Sequence, residues 1–133
     1  YYRSLEMRNV ILAVFSILSL FSSVTAMCHH SFSAEFDVGR PVDITGTLTS
    51  VEWTNPHAWL HIDVEDDQGK VVSWAVEMLG VNTLVRSGMT PQTVKSGDRL
   101  RVTGFGSRDG GNAANASSVS RESGESLWSS ARE

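Results

Sequence analysis

Four histidines fall in two pairs, His29 with His30 and His57 with His61. Imidazole is the commonest protein ligand for copper and zinc, and a nearby carboxylate completes such a set. Glu77 is the carboxylate that strand pairing would bring closest to the second pair. His57 and His61 invite reading as one chelating pair, but their spacing argues against it. On an extended strand their Cα atoms stand roughly 13 Å apart, at about 3.3 Å per residue. A shared metal needs both nitrogens within about 2.1 Å of it. The candidate metal set is therefore His29, His30, His57 and Glu77, with copper or zinc as the cofactor class. A second chemistry is stacking. Trp53, Trp59 and His61 form a candidate ligand face for a small molecule or a protein partner. Either pair of histidines also has a plain structural explanation, as turn or surface residues.

Catalysis has less support. Glu77 and His57 could exchange a proton. However, the chain carries no nucleophile elbow, phosphate loop or triad pattern, and Ser31 beside His30 is not one. Binding is read ahead of catalysis.

The elements that must position these residues are strands. Val42, Ile44, Gly46 and Leu48 alternate with polar residues, and then Val51 and Trp53 shift the phase. A bulge near Thr49-Ser50 accounts for the shift, and Gly46 permits a bend. Leu60, Ile62 and Val64 mark a second strand; Val72, Trp74, Val76 and Met78 mark a third. A two-residue turn between them would set the apolar faces against each other. A three-residue turn with Gly69 at positive φ pairs Leu60 with Val76, Ile62 with Trp74 and Trp59 with Glu77. That register gathers Trp59, His61 and Glu77 on one outer face.

Gly80–Ser87 reads as a short helix, Asp98–Phe105 as a fourth strand and Ala113–Arg121 as a fifth. The expected fold is all-β with one short helix, in the order β-β-β-α-β-β. This is the layout of a small OB-like five-stranded barrel, whose second and third strands usually carry the ligand.

Residues 1–26 read as upstream residues and a cleaved signal peptide. Met7 is the expected start, Val10–Phe21 the apolar stretch, and Val24-Thr25-Ala26 the cleavage signal. The apolar run, about 12 residues, is shorter than the roughly 20 that span a bilayer. Cleavage after Ala26 would expose Met27-Cys28-His29, an amine, thiol and imidazole suited to copper or nickel. Residues 27–40 read as an N-terminal arm, 41–121 as the barrel and 122–133 as a flexible tail. The expected location is the periplasm or the medium, with no membrane association after cleavage. The net charge of −4 argues against a nucleic-acid partner. The lone Cys28 rules out an internal disulfide.

Several segments together resemble one family. They are His29-His30-Ser31-Phe32, Gly46-Thr47-Leu48, Trp53-Thr54-Asn55-Pro56-His57, Trp74-Ala75-Val76-Glu77, Gly97-Asp98 and Thr103-Gly104. The chain resembles the exported bacterial proteins called domain of unknown function 6152 across nearly all of residues 28–120. The resemblance implies export and an OB-like barrel, and it implies no reaction.

Overall fold

A computed structural model of the chain describes residues 32–130. The expected leader, its cleavage point, Cys28, His29 and His30 lie outside these residues. The order is α1 (Phe32–Glu35), β1 (Phe36–Glu52), β2 (Trp59–Glu65), β3 (Val71–Glu77), α2 (Val81–Arg86), β4 (Arg99–Ser107), β5 (Ala113–Arg121) and β6 (Ser126–Ser129).

β1 organises the sheet because it is long enough to serve two partners. Its first part pairs with β4, from Phe36 opposite Ser107 to Thr47 opposite Arg99. Its last part pairs with β2, from Thr47 opposite Asp63 to Glu52 opposite Trp59. Gly46 lies where β2 crosses over. A Cβ there would sit 2.4 Å from the Asp63 carbonyl oxygen and 2.7 Å from Ile62 Cγ2, so only glycine lets the backbones approach. The register slips between Leu48 and Ser50, at the expected bulge.

The β2–β3 hairpin has the register that burial demands. Leu60 faces Val76, Ile62 faces Trp74, Val64 faces Val72 and Trp59 faces Glu77. Gly69 takes φ 77° in the turn. The strands run in the order β3-β2-β1-β4-β5-β6. β3 also pairs with β5 in parallel, Ala75 through Glu77 against Ala113 through Asn115. That pairing closes five strands into a ring, with α2 between the third and fourth, as the OB layout requires.

The ring encloses one core. Leu48, Leu60, Ile62, Val76, Leu84, Leu100, Val102 and Val119 are buried, with Leu84 of α2 joining the strand residues. A smaller apolar group lies on the outside. Phe32 of α1 packs tilted against Phe36 with centroids 5.7 Å apart and meets Phe105 edge-on at 5.9 Å. Phe36 is buried although it is no part of the main core.

Three expectations are corrected. The first strand begins at Phe36, inside the expected arm, and residues 32–35 form a second short helix. Pro41 and a register shift between Phe36 and Pro41 interrupt the alternation there, while the aromatic cluster holds the segment down. The polar tail is not free over its whole length. Ser126–Ser129 forms a sixth strand on β5, with Trp128 opposite Val119 and only 4% exposed. Burying one large side chain contributes roughly 1.5–3 kcal/mol, enough to hold a four-residue strand that alternation could not reveal. No helix among the described residues is long and apolar enough to cross a membrane.

Candidate functional site

The Trp-Thr-Asn-Pro-His segment forms the loop between β1 and β2, and its side chains hold it closed. Thr54 Oγ1 donates to the His57 carbonyl at 3.0 Å. Asn55 Oδ1 accepts the Val81 N–H at 3.1 Å, satisfying one donor at the start of α2. Gly80 must be small here, because a Cβ would lie 2.7 Å from the Pro56 carbonyl oxygen. The hairpin ladder continues underneath, where Met78 N–H donates to the Ala58 carbonyl at 2.8 Å. The loop thus sets His57 over the end of β2 and β3.

The His57 ring is tethered through one nitrogen. Nδ1 lies 3.1 Å from the Met78 carbonyl oxygen and 3.4 Å from Glu77 Oε1. A carbonyl oxygen can only accept, so Nδ1 carries the proton and donates. The neutral ring then has its lone pair on Nε2. The side chain is 40% exposed, whereas that of Glu77 is 9% exposed. Glu77 Oε1 also accepts from Asn115 Nδ2 at 3.2 Å. Closure of the ring explains this contact, since Asn115 is the parallel partner of Glu77. A buried carboxylate backed by an amide and an imidazole marks a built polar site on an outer sheet face.

Trp59, the antiparallel partner of Glu77, is half-buried beside it. It lines a shallow depression of about 330 Å³ with Ala34, Glu35, Phe36, Ser107, Arg108, Asp109 and Ala113. Arg108 fixes one wall. Its backbone N–H donates to the Glu35 carbonyl at 2.9 Å, and its Nε donates to the Phe36 carbonyl at 3.3 Å. Asp109 Oδ1 accepts from Ser107 Oγ at 2.7 Å and Gly111 N–H at 2.8 Å. These bonds, the Ser107 hydroxyl first, hold its carboxyl below the usual carboxylate range.

The remaining candidates lie elsewhere. His61 Nε2 pairs with Glu52 Oε1 at 2.8 Å, with side chains 34% and 57% exposed. The two histidines thus answer to different carboxylates. Trp53, read as part of the ligand face, packs against the hydrophobic core instead. It stands two residues from Val51, which packs there too, and residues two apart in an extended chain share a side. Among the described residues no three His, Cys, Asp or Glu side chains group closely enough to hold a metal ion. Asn115, Glu35, Arg108 and Asp109 are not singled out by sequence. Asn115 could be found by imposing the parallel third-to-fifth strand closure of the OB layout on Glu77.

The fold is that of a small β domain with the OB layout. The chain belongs to the family of unknown function DUF6152, whose model matches residues 17–116. None of the curated proteins matches it. Among solved structures, a chain in the crystal structure of a complex of TiaS with an isoleucine tRNA and ATP is similar at 17% identity and a TM-score of 0.46. That alignment covers 62% of this chain and 18% of the other.

Proposed function

We propose that this domain is an exported, non-catalytic binding module for copper or zinc, with His57 Nε2 as a ligand. One observation carries the reading: His57 Nδ1 donates to the Met78 carbonyl, with Glu77 Oε1 3.4 Å from the same nitrogen. Metal-binding histidines commonly donate their other N–H to such groups, which fixes the tautomer and aims the lone pair outward. In this reading Glu77 stands behind the ring and orients it, a role different from the direct ligand expected of it from sequence. His29 and His30 are the further ligands proposed from sequence, and location in the periplasm or the medium is proposed from the leader.

The test is titration of the metal-free mature protein with Zn(II) and Cu(II) by calorimetry. His57→Ala should reduce affinity at least tenfold. Glu77→Gln should reduce it by roughly 10- to 100-fold, the usual cost of losing an orienting partner. Affinity unchanged in His57→Ala overturns the reading. A His29→Ala/His30→Ala variant measures the share of the first pair, and cell fractionation with the mass of the mature chain tests export.

A further inference from the structure

The depression beside Trp59 has a chemistry separate from the proposed metal ligand. Its walls carry two carboxylates, Glu35 and Asp109, and one guanidinium, Arg108, with a second guanidinium, Arg40, close enough to act on Asp109. The Arg108 Nε is engaged with the Phe36 carbonyl, where it clamps the start of β1 against the turn after β4. Asp109 Oδ1 is held by Ser107 Oγ and the Gly111 N–H, which fixes that carboxylate in the wall. Its lowered pKa keeps that carboxylate ionised at neutral pH.

An aromatic ring among carboxylates attracts cations twice over. The indole face is the best of the protein π-surfaces for a cation within about 6 Å, and the carboxylates supply the opposite charge. A volume of about 330 Å³ lies at the low end for small-molecule sites, which run from about 300 to 1,000 Å³. It suits a compact head group. Phe36 and Ala113 in the lining suit methyl or methylene groups better than a hydrated metal ion. From these observations we infer that the Trp59 depression binds a small organic cation, an amine or methylated ammonium head group.

Choline is the probe, with its neutral isostere 3,3-dimethyl-1-butanol as the control. Both are titrated into the intact protein with EDTA present, and backbone amide NMR shifts are followed. EDTA separates this inference from the metal reading, because either can then fail alone. Saturable shifts at Trp59, Glu35 and Asp109 with choline, and affinity about tenfold lower for the isostere, are expected. Trp59→Leu should abolish the response. If that variant fails to fold, Glu35→Gln/Asp109→Asn tests the charges while keeping their shape, and should weaken choline about tenfold without affecting the isostere. The inference is overturned by the absence of a saturable response, by equal affinity for the two probes, or by an unchanged response in a folded variant.

Discussion

Two histidine–glutamate pairs lie at β2, one on the strand and one in the loop that enters it, and they differ in almost everything but composition. The pair at His61 and Glu52 is the shorter, at 2.8 Å, yet both side chains reach solvent. The pair at His57 and Glu77 is longer, at 3.4 Å, yet its carboxylate is nearly buried and has an amide partner. Water competes with the first contact at both side chains, whereas in the second it reaches the imidazole but is largely kept from the carboxylate. Distance alone would rank the pairs in the wrong order. Burial and the number of partners decide which pair the surrounding structure depends on.

Substitutions can break or sharpen this contrast. Glu77→Ala has the largest expected effect, because it leaves the part-buried Asn115 amide without its Glu77 acceptor. Such a loss costs about 1–3 kcal/mol, read as a lower urea midpoint, whereas Glu77→Gln should retain most of the stability. A wild-type midpoint for Glu77→Ala would mean the buried pair matters no more than the exposed one. Gly80→Ala comes next. Its methyl would push the Pro56 carbonyl away and displace the loop that carries His57, at a cost of about 1–2 kcal/mol. The same measurement checks it, and the His57 ring resonances should shift while those of His61 stay in place. His57→Ala should cost less than about 1 kcal/mol, since a single net hydrogen bond is of that order. Its signature is lost metal affinity with little lost stability. His61→Ala and Glu52→Ala should each fall within about 0.5 kcal/mol of wild type, as for other exposed pairs. A larger loss there would erase the distinction.

The same contrast shows what a sequence can reveal. The hairpin register is legible because one face of β2 and β3 is apolar at every second position, and a slip of one residue would expose it. The bulge at Thr49-Ser50 is legible from the same signal, through its change of phase. These are local patterns. The partner of Glu77 is not legible in that way, since Asn115 is 38 residues distant and meets it only when the ring closes. The start of β1 is hidden because Gly39 and Pro41 interrupt the alternation, and β6 because four residues are too few to show a period. The phase that Trp53 shares with Val51 points inward, and the expectation of a ligand-facing Trp53 overlooks it. The depression is invisible for another reason: α1, β2 and the turn after β4 each contribute to it, and no short motif links them.

The parallel contact between β3 and β5 also bears on when the site comes into being. Hairpins close short loops early, whereas a pairing that joins distant segments must first overcome the entropy of the chain between them. Ala75 N–H, bonded to the Asn112 carbonyl at 3.0 Å, reports the β3–β5 seam. It should exchange with deuterium faster than the Ile62 amide in the middle of the ring, in proportion to how often the seam opens. Each opening would part Asn115 from Glu77 while the hairpin survives. The polar site thus depends on that closure, and a chain whose ring is open presents its residues without presenting the site.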